Sequence, residues 1–264
     1  MANIRKITNL VPQSVRFGLR RVAFWGTAQR CVLCGNDIRG FRDHGGGAPV
    51  LEARQIVGGM RGKDDRCPVC HGRDRTRMMM LYLEEHTAVG HAPVRLLHVA
   101  PDFGLYLWLK RQPRLDHVGS DIDAYRYRHI DGMQTVDLTD APIPDNTFDL
   151  VVCSHVLEHI PDDGAAFKEI FRILKPGGKA LLLTPFALDG KGTDEAPEIT
   201  DPVERDRRFG QSDHVRVYDR GTFAARMQAA GFDVTIYDPF ADLPDRAATL
   251  HLNPLELLPV GLKV

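Results

Sequence analysis

The stretch VRLLHVAPDFG, residues 94–104, decides how this chain is read. Val94 to Ala100 is an apolar run of buried-strand length, closed by Pro101, and Gly104 to Arg111 can form a helix directly after it. The alternation continues outward. Asp116 to Asp121 reads as a second strand, and Thr147-Phe148-Asp149 leads into LVVCS, a third. Asp162 and Asp163 can open a helix whose Phe167, Ile170, Phe171 and Leu174 follow the i, i+3, i+4, i+7 rule. Lys175-Pro176-Gly177-Gly178 stops that helix before a strand from Lys179 to Thr184. Thr222 to Ala230 is helical, Gly231 ends it, and Phe232 to Tyr237 makes the last predicted strand. Such alternation implies an α/β fold, doubly wound, with a mostly parallel sheet covered on both faces. Ligands on these sheets sit at the carboxyl ends of the strands, near the switch point.

Around that region the chain divides into four: a basic arm at 1–30, a cysteine-bounded module at 31–72, the α/β region at 73–240 and a C-terminal tail at 241–264. Arg73 to His86 is predicted helical. Residues 187–219 read as an insertion, opening with a loop rich in Gly, Pro, Asp and Thr. At 264 residues, one large domain and one small one are expected. With 43% hydrophobic and 26% charged residues, wholesale disorder is excluded, and no apolar run is long enough for a transmembrane helix. The net charge of −1 argues against a general polyanion binder. It conceals an asymmetry: Arg5, Lys6, Arg16, Arg20, Arg21 and Arg30 give the arm +6 with no acid, leaving −7 elsewhere. The arm lacks the apolar core and cleavage site of a signal peptide, so a cytoplasmic location is expected. Val11, Val15, Leu19 and Val22 lie on one face of a helix beside Arg16, Arg20 and Arg21. That face either packs on the body, leaving the arginines in solvent, or makes a peripheral contact with a membrane or polyanion.

Cys31-Val-Leu-Cys34-Gly and Cys67-Pro-Val-Cys70-His are two knuckles separated by 32 residues. Two residues between thiolates let the chain fold back so that both sulfurs reach one ion. Cys31, Cys34, Cys67 and Cys70 would close a tetrahedral zinc shell, a structural site in a zinc-ribbon-like module too small to bury much core. An iron–sulfur cluster, a histidine substituting for one sulfur, or unrelated cysteines are the competing readings. Cys153, inside a predicted strand, reads as a small buried residue.

The loop at 99–104 stands where a nucleotide-binding strand–loop–helix would. Seventeen residues after Gly104, Asp121 ends the second strand, where a carboxylate can accept hydrogen bonds from two ribose hydroxyls. Asp137, in Asp137-Leu138-Thr139-Asp140, is placed to accept from an exocyclic amine.

Together with FDLVVCSHVLEH at 148–159 and RILKPGG at 172–178, these residues resemble the class I S-adenosylmethionine-dependent methyltransferases, of the methyltransferase type 11 kind. CPVCHGRDR at 67–75, HVAPD at 98–102, SHVLEHIPDD at 154–163 and FGQSDHVRVY at 209–218 look like a bacterial group that joins such a domain to a CxxC…CPVC module. The resemblance covers roughly residues 30–238. It implies a Rossmann-like methyltransferase sheet and S-adenosylmethionine held by Ala100, Pro101, Asp102, Gly104, Asp121, Ile122, Asp137, Leu138 and Ser154. The family at large favours an acid at the position of His98 and glycines at Ala100 and Asp102, and only Gly104 remains here. The Asp102 carboxylate could instead reach the cofactor's ammonium.

His155, Glu158 and His159 stand at i, i+3 and i+4 just after a strand, so a helical turn there would aim all three the same way. Ubiquinone-pathway O-methyltransferases and the plant small-RNA 2′-O-methyltransferase are similar here and hold a divalent ion with a Glu-x-x-Glu-His pattern. The likeness implies a possible second ion at His155, Glu158 and His159, with His214 a distant fourth ligand. A metal-free alternative uses His155 or His214 as general base, and a third gives Glu158 and His159 a structural or cofactor-lining role. Arg205, Asp213 and Arg216, on the insertion, are candidates for clamping the substrate. The whole reads as a methyltransferase acting on a small-molecule or glycan hydroxyl. An RNA methyltransferase and a non-catalytic zinc-scaffolded adaptor are the alternatives. Net charge and the absence of interleaved aromatics argue against nucleic acid.

Overall fold

The computed structural model describes residues 12–264; Arg5, Lys6 and Val11 of the basic arm lie outside the described residues. Seven strands form the central sheet: β1 (Val94–Val99), β2 (Leu115–Asp121), β3 (Gln134–Thr135), β4 (Phe148–Ser154), β5 (Leu174–Leu183), β6 (Asp233–Tyr237) and β7 (Leu258–Leu262), in the order 6-7-5-4-1-2-3. Neighbours from β5 to β3 pair in parallel, while β7 runs antiparallel to both β5 and β6. Leu96, Leu97, Val151, Val152, Cys153 and Leu181 to Leu183 are fully buried, as strands covered on both faces demand.

The helices behave as their patterns predict. Asp102 caps α3 (Phe103–Leu109), its carboxylate accepting from the backbone N–H of Gly104 and Leu105. Asp162 caps α4 (Asp163–Ile173), which buries Ala166, Phe167, Ile170 and Ile173. Helix α2 (Asp74–His86) is buried along most of its length, because the cysteine module covers the side that the sheet does not. Cys31, Leu33, Ile38, Cys67 and Val69 belong to the same hydrophobic cluster as the sheet, so the module shares its core. Buried Arg77 ties the parts together, donating to the carbonyls of Asp65, Leu250 and His251.

One feature departs from the sequence reading, and a second answers an alternative it left open. The residues set apart as a tail contribute β7, inserted between β5 and β6. Pro259 and Gly261 make LPVGL read as a breaker, yet a phenylalanine ring fills the space over Gly261: a Cβ there would come within 2.6 Å of Phe232. The helix of the arm, α1 (Gln13–Ala23), turns its Val15-Leu19-Val22 face outward. It is Phe17, edge-on to Phe103, and Arg20, bonded to the Val69 carbonyl, that face the body.

Candidate active site

A crevice of about 610 Å³ opens at the carboxyl ends of β1, β2 and β4, the switch point of the sheet. Its size lies within the range of small-molecule and cofactor sites. At one end stand Ala100, Asp121, Ile122, Asp137 and Leu138. The chain leaves β1 through Ala100 in the left-handed region (φ +45°), held by its N–H to the Ser120 carbonyl. This is a conformation glycine adopts freely and alanine only with strain, so the turn typical of the family persists without its glycine. Asp121 accepts from the Asp123 N–H through Oδ1, which leaves its other oxygen uncommitted. Asp137 accepts from both the N–H and the hydroxyl of Thr139, and these bonds hold its carboxyl below the usual carboxylate range.

Other residues named from sequence lie near this end with different duties. Asp102 spends its carboxylate on the cap of α3. Gly104 meets the module: a Cβ on it would lie 2.9 Å from the Gly72 Cα. Pro101 and Ser154 flank the crevice without forming its lining. His98, where the family favours an acid, is buried beneath the loop and shares a 3.3 Å hydrogen bond with His117. Arg126, Tyr127, Thr139, Val156, Ile160, Pro161 and Gln211 line the crevice and were not singled out from sequence. The segment directly after Asp121, DAYRY at 123–127, was the available signal, since chain leaving a strand tip must border the ligand.

The other end carries His155, His159 and Asp213 on its wall, with Glu158 and His214 buried behind. The turn at Leu157–His159 is 3₁₀, and His155 precedes it in a left-handed conformation (φ +57°). Glu158 accepts from the Thr184 hydroxyl with Oε2; its Oε1 has no hydrogen-bond partner and lies 3.5 Å from His155 Nδ1 and 3.9 Å from His214 Nε2. Burial pushes the Glu158 carboxyl up, His214 down to about 4 and His155 well down, so these histidines are neutral at pH 7. His159 packs edge-on against His214, with its Nδ1 3.2 Å from the Asp213 carbonyl oxygen. Donation of Nδ1–H to that carbonyl leaves the Nε2 lone pair as the free nitrogen of the ring. The sequence-predicted group is therefore brought together, with His159 and Asp213 at the surface of the crevice.

The arginines of the insertion are placed otherwise than expected. Arg216 is buried; it donates to the carbonyls of Leu157, Ile160 and Pro161 and pairs with Glu195, holding the turn that carries His159. Arg205 donates to the Ile199 carbonyl. Neither lines the crevice.

The four knuckle cysteines form a second site. Cys31 and Cys70 sulfurs are 3.8 Å apart, Cys34 and Cys67 4.0 Å, and none is in a disulfide. Zinc–sulfur bonds of about 2.3 Å at tetrahedral angles put sulfurs about 3.8 Å apart. Gly35 and His71, each following the second cysteine of its knuckle, are left-handed, and the N–H groups of Val69 and Gly72 point at Cys67 and Cys70 sulfurs. This cluster could hold a metal ion, and its donor set fits zinc.

Residues 75–236 match the family model described as a methyltransferase domain, more than half of the chain. The chain belongs to the methyltransferase-domain family. Its sheet is the Rossmann-like, mostly parallel sheet of the class I S-adenosylmethionine-dependent methyltransferases. Among curated relatives, the ubiquinone/menaquinone biosynthesis C-methyltransferase UbiE of Serratia proteamaculans (strain 568) is 34% identical over 108 residues, 36% of this chain and 43% of that protein. The same-named protein of Escherichia coli O139:H28 is 34% identical over 110 residues, 36% of this chain and 43% of its own length. The chain thus matches less than half the length of these relatives. Among solved structures, a SAM dependent methyltransferase from Archaeoglobus fulgidus is similar at 15% identity and a TM-score of 0.47, covering 73% of this methyltransferase and 95% of that chain. Among the described residues, no helix is long and apolar enough to cross a membrane.

Proposed function

We propose that this methyltransferase moves the methyl group of S-adenosylmethionine to a hydroxyl of a small-molecule or glycan acceptor. The observation that carries the reading is one crevice with two acidic strand tips at one end and the His159–Asp213 pair at the other. Asp121 would hold the ribose hydroxyls and Asp137 the adenine amine, with Ile122 and Leu138 against the base. Bound there, S-adenosylmethionine supplies an electrophilic methyl whose leaving group is a neutral thioether. The protein's task is alignment and deprotonation: Nε2 of His159 takes the acceptor's proton, while the Asp213 carbonyl fixes the ring and its tautomer. Glu158, His155 and His214 support that ring from behind. The four cysteines hold zinc as a structural ion.

The test is single-turnover methylation of acceptors from cell extract with labelled S-adenosylmethionine, the labelled product being identified by NMR. His159→Gln should slow turnover about a hundredfold or more with cofactor affinity unchanged. Unchanged turnover removes His159 from the chemistry. Failure of calorimetry to detect S-adenosylmethionine binding favours a non-catalytic adaptor.

Two observations favour second readings. The curated relatives are named C-methyltransferases, and a labelled methyl on carbon in the product would move the acceptor atom accordingly. Glu158, His159 and His214 each offer a ligand atom within 4.8 Å of the others, and Oε1 of Glu158 is unpartnered. An ion there would lower the pKa of an acceptor hydroxyl. Two equivalents of metal per chain, of which one leaves in the His214→Ala variant, would support it.

A further inference from the structure

Helix α1 has two faces of opposite fate. Phe17 and Arg20 fix it to the body, through Phe103 and the Val69 carbonyl. One turn apart on the far side, Val15, Leu19 and Val22 are 48%, 64% and 79% exposed, and Trp25, directly beyond the helix, is 60% exposed. Exposed apolar side chains scattered singly need no explanation, but three in register on one helix face with a fourth just beyond its end do. Arg21 is exposed beside the ridge and the helix carries no acid, while Arg30, on the strand that follows, forms an exposed pair with Asp37 at 3.5 Å.

We propose that this ridge docks on an anionic lipid surface. A helix anchored by one face, with Val, Leu and Trp on the other and arginine alongside, lies in the plane of a bilayer interface and inserts only its apolar edge. The charge is complementary: residues 1–30 hold six positive charges and no negative one, in a chain of net −1. Other occupants fit less well. Four side chains supply far less area than the roughly 800 Å² per partner of a stable protein interface. For nucleic acid the ridge offers one stacking platform, Trp25, while its other three exposed side chains are aliphatic. The position of the helix gives docking a purpose. The groove between α1 and residues 125–131 is lined by Phe17, Tyr125 and Arg126, and Arg126 also lines the cofactor crevice. A docked α1 therefore lies one groove away from a residue that lines the crevice.

The experiment is co-sedimentation of the full chain with vesicles of phosphatidylcholine alone and of phosphatidylcholine with phosphatidylglycerol, alongside Trp25 fluorescence. Binding to the anionic vesicles with a blue shift of the emission is expected, weakening as salt rises. Trp108 is buried, so the shift reports Trp25. Val15→Ser, Leu19→Ser and Val22→Ser combined should lower vesicle affinity about a hundredfold without changing the melting temperature, because all three side chains are already exposed. Arg21→Glu with Arg30→Glu should remove the preference for anionic lipid. Absence of binding to the anionic vesicles, or binding that the triple variant retains, overturns the proposal. So does tight binding of an RNA oligonucleotide that competes the chain off the vesicles.

Discussion

Gly72, two residues beyond the last knuckle cysteine, and Gly104, at the start of α3, lie backbone to backbone: a Cβ on Gly104 would fall 2.9 Å from the Gly72 Cα and 3.2 Å from its nitrogen. Real Cβ atoms do not tolerate such contacts. The glycine that the family resemblance assigns to the cofactor loop is here the seat of the cysteine module. Gly104→Ala should therefore force module and α3 apart, costing about 1–3 kcal/mol in denaturant unfolding. Unchanged stability would mean that the two backbones can separate freely.

The cysteine cluster makes a prediction of its own. Cys67→Ser should abolish stoichiometric zinc measured by atomic absorption and lower the melting temperature, because the sulfurs are buried in the core shared with the sheet. A chelator that strips the ion from the parent protein should reproduce the shift. A metal-free parent of full stability would defeat the assignment.

At the other site, Asp121→Ala should weaken S-adenosylmethionine binding about tenfold to a hundredfold by calorimetry, the worth of charge-assisted hydrogen bonds to a ribose. Asp137→Asn should weaken it less, because the Thr139 bonds to its oxygen survive in the amide. Equal affinity in the Asp121 variant would take that residue off the cofactor.

Acid should destabilise the protein through His98 and His117. Burial lowers both, His98 well below the ordinary histidine value and His117 to about 4. The native state keeps them neutral where the unfolded chain, titrating near 6.5, already binds protons, so stability falls as pH drops from about 6.5 toward 4. His98→Leu should flatten the dependence of unfolding free energy on pH across that window by up to about one proton, at little cost near pH 7. A slope identical to the parent's would show that other groups carry the acid sensitivity.

Much of this was legible in the residues, and the failures have physical causes. The strands at 94–99 and 148–154 declare themselves because burial on both faces leaves only apolar choices. The strand at 258–262 does not, since Pro259 and Gly261 satisfy the ladder in an antiparallel setting that no local pattern announces. Asp121 and Asp137 could be placed on the crevice from sequence because both stand at strand tips. The bonds of Asp102, Arg205 and Arg216 were not legible, because a charged residue near a site can equally serve a helix end or a carbonyl, and only coordinates distinguish the two. The apolar stripe of α1 was legible, but whether it met the body or faced outward stayed open, because amphipathicity gives a face without naming what the face meets.

One contact in the module reaches further than its own fold. Gly58, left-handed between the two knuckles, sits so close to His155 that a Cβ would come within 3.2 Å of the imidazole. The cysteine-bounded segment is thus a backstop for the crevice wall that carries His155. On this geometry, a shift of the loop that carries Gly58 would be felt at that imidazole, some hundred residues away in the chain.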